Sequence, residues 1–377
     1  MEKIKVLHCY KTYYPVTLGG IEQVIFQLAE STVENGVESI VFSVNNLARD
    51  ELTRFHNHYV SKVKKDFEIA STPFSFKALG QFKKLAEKVD IIHYHFPYPF
   101  MDLLHFLSRT KKPTIVSYHS DIIKQKKLMI FYKPLMNLFL NNVDRIVAAS
   151  PNYISSSETL KKFMNKVLVI PYGITDITKL PKDKQTLEII KNKFPNGYFL
   201  FVGNFRYYKG LSFLLEAVKG IDIPIVLLGA SGEEQKLRDF VIKNQMTNIH
   251  FVGAKGDDIK FAYLSQAVGF VFPSHLRSEA FGISLVEAAC FGLPLISCEI
   301  GTGTTYINIH NKTGIVIEAG NSREIKDAIA DIWLNREKYK QYGRNARARY
   351  DTLFTSQSMA DKYLSLYEEV LSEHANR

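Results

Sequence analysis

The chain is 377 residues long, contains 46% hydrophobic and 23% charged residues, and carries a formal net charge of +10 at pH 7. These values are typical of a globular protein of about two domains, and they exclude disordered and fibrous classes. The longest apolar segment, residues 128–140, is interrupted by Lys133 and Pro134. It is too short to cross a bilayer, so we expect no transmembrane helix.

The positive charge is concentrated in the first half of the chain. Residues 1–175 contain 23 lysines and arginines against 15 acidic residues, whereas residues 176–377 contain 25 against 23. A basic half can bind nucleic acid or an anionic membrane. No zinc-finger, helix-turn-helix or RRM motif accompanies it, so we expect no nucleic-acid partner. The three cysteines lack metal-ligand spacing and no signal peptide is apparent, which predicts a cytoplasmic protein.

In chain order, apolar strand-like segments alternate with segments of helical periodicity. In the first half the predicted strands are residues 4–9, 39–44, 89–95, 114–118, 145–149 and 167–170, and the predicted helices are residues 21–34, 101–109, 126–140 and 152–163. In the second half the predicted strands are residues 198–202, 224–228, 249–252, 268–272, 295–297 and 314–317, and the predicted helices are residues 209–218, 233–243, 259–267, 283–291 and 322–333.

This repeated alternation predicts an α/β fold with two doubly wound, Rossmann-like domains. We expect an N-terminal domain at residues 1–175, a C-terminal domain at 176–355, and a final helix at 356–377 that packs back on the N-terminal domain. The polar, lysine-rich segment 175–195 marks the boundary. Ligands bind outside the carboxyl ends of parallel strands, so two domains facing each other would place the active site in a cleft.

Two carboxylates eight residues apart, Glu279 and Glu287, flank and enter one predicted helix. If this helix starts near Phe281, the first amides, around Phe281, Gly282 and Ile283, are unpaired and favour a phosphate. The two carboxylates can accept hydrogen bonds from sugar and ribose hydroxyls, so the pattern fits a sugar nucleotide. The alternative is an amphipathic helix preceded by an exposed glutamate.

Three loops that follow predicted strands add candidate contacts. Arg206 and Lys209 stand at a helix start, where the two cations can hold a diphosphate. Gly19 and Gly20 precede the first helix and let the backbone approach a ligand. His119 ends a predicted strand, where it can orient a reacting group. Each has a plainer alternative: solvated charge, an ordinary turn or a structural histidine.

No two aspartates are separated by a single residue, so the Asp-x-Asp metal-binding motif of many nucleotide-sugar enzymes is absent. No other metal-ligand spacing is apparent in the sequence. We therefore expect no metal ion and no cofactor. Arg206, Lys209 and the helix dipole would neutralise a leaving diphosphate instead.

Together these motifs resemble the retaining GT-B glycosyltransferases of family 4, and the resemblance covers essentially the whole chain. The matching elements are Gly19-Gly20, His119, Pro171-Tyr172-Gly173, Arg206 with Lys209, and Glu279 with Glu287. More narrowly, three segments are similar to mannosyltransferases of bacterial O-antigen assembly: residues 10–15, 206–210 and 274–279.

The resemblance implies roles for these residues. Glu279 would hold the donor sugar hydroxyls, Glu287 would hold the ribose, and His119 would lie on the acceptor side beside the reacting carbon. The implied donor-binding residues are Gly19, Gly20, Arg206, Lys209, Phe281, Gly282, Ile283 and Glu287. The narrower similarity implies GDP-mannose as the donor and a polyprenyl-diphosphate-linked glycan as the acceptor.

The expected activity is therefore transfer of a hexose, with retention of anomeric configuration, in the assembly of O-antigen, lipopolysaccharide or a related surface polysaccharide. Three alternatives stay open: a family 4 transferase with a UDP-sugar donor, a GT-B nucleotide-sugar epimerase, and a non-catalytic nucleotide-sugar-binding protein. Free GDP released from GDP-mannose with and without a lipid acceptor would separate transfer from epimerisation and from mere binding.

The segment of residues 124–133 combines lysines with Met129, Ile130 and Phe131. Such a composition suits a helix that lies on an anionic bilayer, with lysines at the headgroups. We therefore expect a peripheral protein on the inner face of the plasma membrane. A core helix whose lysines face water is the alternative.

Overall fold

The computed structural model describes residues 3–17, 19–46, 52–122 and 126–376, with only the backbone for Lys126 and Lys127. The chain forms two compact units. Unit 1 consists of Met1–Gly173 and Ser356–Arg377, and unit 2 consists of Ile174–Thr355. The chain thus leaves unit 1 after Gly173, next to the boundary expected at residue 175, and returns to it after Thr355.

Unit 1 is built on an eight-stranded sheet with the order β10-β9-β8-β7-β1-β2-β4-β3, beside a two-stranded β5-β6 hairpin. Its strands are β1 (Ile4–Cys9), β2 (Val37–Asn45), β3 (Thr53–Phe55), β4 (His58–Lys64), β5 (Phe67–Ile69), β6 (Thr72–Phe74), β7 (Ile91–Phe96), β8 (Thr114–Tyr118), β9 (Arg145–Ala148) and β10 (Val167–Val169). All neighbours in the main sheet are parallel except β3 and β4. Parallel strands buried on both faces read as continuous apolar runs, which is why the central ones were predictable.

The register of the central strands brings several polar residues into one row. His8 on β1 pairs with His93 on β7, and His95 on β7 pairs with Ser117 on β8. Side chains two residues apart on a strand share a face of the sheet. His93 and His95 therefore lie on one face, and His119, two residues after Ser117, continues the row beyond the end of β8.

Five helices of unit 1 precede the crossing to unit 2: α1 (Gly20–Ser31), α2 (Ala78–Ala86), α3 (Pro99–Ser108), α4 (Lys126–Asn142) and α5 (Pro151–Ser156). The predicted helix at residues 152–163 is wrong as a single element. It ends at Ser156, and a short 3-10 helix follows at Leu160–Lys166. Ser157 has extended backbone, and its hydroxyl donates to Asp121 Oδ1 at 2.7 Å, which interrupts the helix.

Unit 2 is a six-stranded parallel sheet with the order β13-β12-β11-β14-β15-β16. Its strands are β11 (Phe199–Val202), β12 (Ile225–Leu228), β13 (Ile249–Gly253), β14 (Gly269–Phe272), β15 (Leu295–Glu299) and β16 (Gly314–Glu318). Its helices are α6 (Lys184–Lys193), α7 (Leu211–Ala217), α8 (Glu234–Lys243), α9 (Asp257–Gln266), α10 (Ile283–Cys290), α11 (Thr304–Ile307), α12 (Ser322–Leu334) and α13 (Arg336–Leu353).

The last helix, α14 (Ser356–Ala375), belongs to unit 1. Met359, Tyr363 and Leu366 pack in one core cluster with Val6 of β1 and Ile91 of β7. These residues are between 0% and 3% exposed, so the helix closes one face of the sheet. Among the described residues, no helix is both long enough and apolar enough to cross a bilayer.

Candidate active site

The sheet of unit 2 has a topological switch point between β11 and β14. The chain proceeds from β11 to β12 and β13 on one side, and β14 then returns to the opposite side of β11. Ligands of doubly wound sheets bind outside the carboxyl ends of the strands at such a point. The loop after β11 carries Arg206 and Lys209, and the loop after β14 carries Glu279. The topology therefore brings these sequence-predicted residues together.

Lys209 and Glu279 form an ion pair at the switch point. Lys209 Nζ lies 2.5 Å from Glu279 Oε2, and Ser274 Oγ donates to the same oxygen at 3.2 Å. Both charged side chains are only 11% exposed, and the ammonium lies 4.6 Å from the centroid of the Phe272 ring. A pair so shielded from water is electrostatically stronger than a surface pair. A ligand that binds at this corner therefore meets a cation and a carboxylate that already neutralise each other.

Backbone and side-chain hydrogen bonds join the loops around this pair. His275 N donates to Tyr208 O at 3.0 Å, which ties the loop after β14 to the loop after β11. Arg277 Nη1 donates to Gly301 O at 3.1 Å, which ties it to the loop after β15. Three neighbouring strands thus contribute connected loops to one corner of unit 2.

Arg206 is exposed and precedes the 3-10 turn Tyr207–Lys209. It forms no ion pair within the described ranges of the chain. Its charge acts on the phenol of Tyr208. Burial raises the pKa of Tyr208 to about 12, and the Glu279 carboxylate adds to this rise, whereas the Arg206 guanidinium opposes it. Arg206 is therefore a second cation at the same corner, on the solvent side of the shielded pair.

Helix α10 begins at Ile283, the first residue of the helix predicted at residues 283–291. Gly282 has φ 102°, a left-handed conformation that glycine adopts readily and a right-handed helix excludes. Phe281 is 3% exposed, and its ring packs edge-on against Phe354. The amides ahead of the first intrahelical hydrogen bond include those of Ile283 and Ser284. Ile283 is the first helical residue, and the expected contact of the amides around Phe281, Gly282 and Ile283 with a diphosphate stays a prediction.

Glu287, in the second turn of α10, is paired with a lysine that the sequence analysis missed. Lys260 Nζ donates to Glu287 Oε1 at 2.8 Å and lies 2.8 Å from Asp257 Oδ1. Burial opposes the charge of Lys260, but the carboxylates of Glu287 and Asp257 outweigh it and raise the lysine pKa. Glu287 itself is 4% exposed and is held in place by this bond. No local sequence pattern links Lys260 to Glu287, since the two residues lie on different helices, α9 and α10.

In unit 1, Gly19 lies against a buried carboxylate, whereas Gly20 has open space beside it. A Cβ atom on Gly19 would lie 2.3 Å from Glu22 Oε2, whereas one on Gly20 would meet nothing within 4 Å. The Glu22 carboxylate is buried and accepts hydrogen bonds from Thr12 Oγ1 at 2.7 Å and Thr17 Oγ1 at 2.6 Å. A side chain at Gly19 would therefore displace the hydrogen-bonded Glu22 carboxylate, a contact that the sequence did not reveal.

His119 is 4% exposed and uses both ring nitrogens inside unit 1. Its Nδ1 lies 2.5 Å from the Tyr172 hydroxyl, and its Nε2 lies 2.9 Å from His95 Nδ1. His95 Nε2 in turn lies 3.1 Å from His8 Nδ1, and His8 Nε2 lies 3.4 Å from Ser39 Oγ. The last candidate residue therefore ends a row of three imidazoles that runs into the core.

Burial keeps these imidazoles neutral. Desolvation lowers the pKa of His119 and that of His8 to about 3. It lowers the pKa of His95 and of His93 well below the usual value, and the neighbouring histidines add to this effect. A neutral His119 can orient a reacting group or donate one hydrogen bond, but it is a poor acid at physiological pH.

Within the described part of the chain, His8, His93 and His95 are the one group of at least three potential ligands close enough to hold a metal ion, with ligand atoms within 4.8 Å of one another. All three rings are already hydrogen-bonded: His93 to Tyr367 and Ser117, and the other two within the row. The alternation His-x-His on a predicted strand was the available signal for this cluster, because it places both rings on one face.

Two family models match the chain, and relatives match nearly all of it. The model described as Glycosyltransferase Family 4 matches residues 18–176, and the model described as Glycosyl transferases group 1 matches residues 183–349. The chain is 46% identical to the O-antigen chain mannosyltransferase C of Escherichia coli, over 98% of this chain and 99% of the relative. It is 47% identical to the D-rhamnosyltransferase WbpZ of Pseudomonas aeruginosa, over 94% of this chain and 93% of the relative.

Solved structures agree on the architecture. Sucrose-phosphate synthase from Thermosynechococcus elongatus superposes with a TM-score of 0.81 at 19% identity, covering 98% of this chain and 100% of that one. Identity this low shows the fold alone, whereas the two bacterial transferases also show the family. The chain belongs to the GT-B glycosyltransferases, with a family 4 region followed by a group 1 region.

Proposed function

We propose that this glycosyltransferase moves a mannosyl or closely related 6-deoxyhexosyl group from a GDP-sugar to a lipid-linked glycan during O-antigen or related surface-polysaccharide assembly, with retention of anomeric configuration. The observation that carries the proposal is the shielded Lys209–Glu279 pair at the switch point of unit 2. It offers a cation for a diphosphate and an acceptor for sugar hydroxyls within 2.5 Å of each other.

Donor binding would redistribute the hydrogen bonds of this pair. The Glu279 carboxylate accepts from donor sugar hydroxyls, while Lys209 and the exposed Arg206 bind the diphosphate. The amides of Ile283 and Ser284 add the positive end of the α10 dipole. The ammonium keeps a negative partner throughout, because the phosphate takes over from the carboxylate. As the sugar–phosphate bond breaks, these cations stabilise the developing charge on the leaving diphosphate.

Glu287 would bind the ribose hydroxyls with the carboxylate that Lys260 already orients. Fixing a rotamer before the ligand arrives reduces the entropy lost on binding. On the acceptor side, His119 would stand beside the reacting carbon. The acceptor hydroxyl would attack the face that the diphosphate leaves, and the leaving phosphate would take its proton. Neither Glu279 nor Glu287 is assigned as a covalent nucleophile.

The two relatives favour a manno-configured sugar, since one is named a mannosyltransferase and the other a D-rhamnosyltransferase. D-rhamnose is 6-deoxy-D-mannose, so the two sugars differ by a single hydroxyl group. A pocket that hydrogen-bonds this hydroxyl rejects the deoxy sugar strongly, whereas an apolar pocket discriminates weakly. The choice between the two donors therefore depends on the polarity of the pocket around C6 of the sugar.

Donor specificity can be tested with purified protein and a short polyprenyl-diphosphate glycan. GDP-mannose, GDP-D-rhamnose and UDP-glucose are supplied separately, and nucleotide release and the glycosylated lipid are both measured. We expect transfer from one or both GDP-sugars and none from UDP-glucose. Transfer from UDP-glucose alone would overturn the donor proposal, and a C2-epimerised nucleotide sugar without glycolipid would favour the epimerase alternative.

We further propose that transfer needs no divalent metal. The support is the pair of cations, Arg206 and Lys209, at the corner where the diphosphate would bind. Activity should survive 5-fold excess EDTA over total divalent metal, at roughly the untreated rate. A complete loss that Mg²⁺ reverses would contradict this mechanism.

We also propose peripheral docking of unit 1 on an anionic membrane through α4. Its described side chains include Ile130 and Phe131, which are 72% and 83% exposed. Leu128 and Leu138 on α4, and Leu103 and Leu107 on the adjacent α3, are also exposed. Several exposed apolar side chains on two adjacent helices are a feature of interaction sites. Of the neighbouring lysines, Lys124 lies outside the described residues, and the side chains of Lys126 and Lys127 are likewise not described.

Sedimentation with vesicles tests the docking proposal. The protein should sediment with vesicles containing phosphatidylglycerol, dissociate at high salt and ignore phosphatidylcholine vesicles. The double substitution I130D/F131D should abolish sedimentation. I242D is the matched control, because Ile242 of unit 2 is 74% exposed but lies outside the proposed surface. Equal binding of the double variant and the wild type would exclude α4 as the docking helix.

A further inference from the structure

The row Ser39–His8–His95–His119–Tyr172 is a continuous chain of hydrogen bonds, with neighbouring atoms between 2.5 and 3.4 Å apart. Its inner end, Ser39, is 0% exposed, and its outer end, Tyr172, is 6% exposed. All five residues belong to unit 1. The row joins the middle of the sheet to the motif Pro171-Tyr172-Gly173, where unit 1 ends.

A neutral imidazole carries one proton, so it donates at one nitrogen and accepts at the other. Three neutral imidazoles in a row must therefore all donate in the same direction. Either each donates from Nε2 toward Ser39, or each donates from Nδ1 toward Tyr172. The tautomer of one ring fixes the tautomers of the other two.

The row does not serve as a sink for protons. A proton that entered at Tyr172 would finally charge His8, which is buried and 1% exposed. Burial strongly disfavours the charged form of such a ring. Ser39, beyond His8, gives the proton no path to water. The row can therefore orient hydrogen bonds, but it does not carry net charge.

The chemistry of the outer end selects one of the two directions. A phenol is a stronger hydrogen-bond donor than a neutral imidazole, and an imidazole nitrogen is a stronger acceptor than a phenol oxygen. The short contact between the Tyr172 hydroxyl and His119 Nδ1, 2.5 Å, is therefore best formed with the tyrosine as donor. His119, His95 and His8 then all carry their protons on Nε2.

We propose that Tyr172 and the two inner rings, His95 and His8, together lock His119 in its Nε2–H tautomer: Tyr172 donates to Nδ1 of His119, and His95 accepts from Nε2 and is held in the same tautomer by His8. The Tyr172 O–H then points inward, and His119 keeps one fixed orientation at the outer end of the row. The lock itself is independent of the transfer reaction. Only the effect of the lock on kcat, through the fixed orientation of His119, rests on the proposed function.

The lock predicts a spectroscopic signature that a purely structural histidine core would not show. In protein labelled with ¹⁵N-histidine, the bare and protonated nitrogens of a neutral ring have widely separated shifts, which identify the tautomer. We expect His8, His95 and His119 to share the Nε2–H form without change from pH 5.5 to 8. An Nδ1–H ring or a charged ring among the three overturns the proposal. One tightly bound zinc ion per chain also overturns it, because metal ligation would occupy nitrogens of the row.

His95→Asn unlocks the row while retaining a hydrogen-bonding group near Nδ1. An amide can offer either its oxygen or its nitrogen, so His119 should become a mixture of tautomers. His93→Asn is the matched control: His93 is two residues away on β7, is 0% exposed and stacks on His95 at 4.5 Å, but its hydrogen bonds go to Tyr367 and Ser117. His119 should keep its tautomer in this variant. The same mixture in both variants would show that packing, and not the row, sets the tautomer.

Tyr172→Phe tests the outer end if the core variants do not fold. It should release the lock at His119 and lower kcat about tenfold, the effect of one hydrogen bond, with donor KM unchanged. His95→Asn should lower kcat similarly, and His93→Asn should not. Shared tautomers in a protein that transfers no sugar would support the lock and overturn the proposed function. A lock intact in Tyr172→Phe, with wild-type kcat, would overturn the inference.

Discussion

The corner of unit 2 around Lys209 and the histidine row of unit 1 position polar groups in opposite ways. In unit 2, opposite charges are paired within a partly shielded site: Lys209 with Glu279, and Lys260 with Glu287. In unit 1, titratable rings are buried so deeply that they stay neutral, and hydrogen-bond direction replaces charge. The charged site of unit 2 is stable only while each charge keeps its counter-ion. The neutral row of unit 1 persists only while the pH leaves its imidazoles uncharged and its hydrogen bonds stay unbroken.

Acid should therefore break unit 1 first, and this is the largest expected effect. Burial depresses the pKa of His8, His93, His95 and His119 in the folded state, while the unfolded chain titrates near 6.5. Below pH 6.5 the unfolded chain thus binds more protons, and the free energy of unfolding falls by about 1.4 kcal/mol per pH unit for each ring.

One buried group opposes this trend. Burial raises the pKa of Asp102 to about 8, so its folded form holds a proton that the unfolded form releases between about pH 4 and 8. For these five groups the net difference grows from one proton at pH 6.5 to three at pH 5, a loss of about 5 kcal/mol in the free energy of unfolding. Trp333, the one tryptophan of the sequence, lies in unit 2. On acid titration, far-UV circular dichroism should change before tryptophan fluorescence, and a coincident change would contradict the prediction.

Removing a counter-ion should damage unit 2 next most strongly. Lys260→Met leaves Glu287 charged and buried without its partner, which should cost about 3–5 kcal/mol of unfolding free energy at pH 7.5. Urea unfolding followed by Trp333 fluorescence measures it. The double variant K260M/E287L is the control and should recover most of the loss; no recovery would show that lost packing dominates.

Neutralising Glu279 should affect transfer more than stability. Glu279→Gln keeps the shape of the side chain but removes the negative charge that pairs with Lys209. We expect transfer to fall by about 10²–10³-fold, as for loss of one preorganised group in an active site, while GDP binding is retained. Initial rates and calorimetric titration with GDP measure the two effects. Glu233→Gln is the control, since Glu233 pairs with Lys236 on an exposed helix of the same unit. Wild-type transfer by Glu279→Gln would exclude Glu279 from the site.

Loss of a helix cap is the smallest expected effect, and it should be similar in the two units. Ser150 Oγ accepts from Tyr153 N at 3.1 Å at the start of α5, and Asn321 Oδ1 accepts from Glu324 N at 3.1 Å at the start of α12. Each alanine substitution should cost about 1 kcal/mol, because it leaves one helix amide without its partner. Urea unfolding should show similar losses, by circular dichroism for S150A and by Trp333 fluorescence for N321A. Clearly unequal losses would mean that the two units do not respond alike to a local defect.

The strands could be predicted because parallel strands buried on both faces are apolar throughout. Each predicted strand is present, with ends shifted by two residues at most. Helix α13 was not predicted, because its residues Arg336–Leu353 are so rich in charge that the few buried positions, such as Tyr339 and Tyr350, do not form a visible stripe. Strands β3 to β6 were not predicted either. β3, β5 and β6 have only three residues each, and β4 is a longer, mostly buried strand whose apolar residues are interrupted by polar ones.

At the candidate site, the sequence predicted which residues lie on the loops but not which residues they pair with. The start of α10 at Ile283 agrees with the helix predicted at residues 283–291, and Gly282 in its left-handed conformation sets this boundary. The pairing of Lys209 with Glu279, and of Lys260 with Glu287, joins residues far apart in the chain. Local patterns carry no information about such contacts, which follow from the order of strands in the sheet.

The return of α14 to unit 1 has a consequence for synthesis on the ribosome. Tyr367 and Tyr363, which supply hydroxyl partners to His93 and Ser117, are translated only after the whole of unit 2. At ordinary elongation rates, unit 1 waits about 10–40 s for them with one face of its sheet bare. Unit 2, a continuous stretch, can finish folding in that interval. The first half of the gene alone should therefore be a poor expression product, and nascent unit 1 a natural client for chaperones.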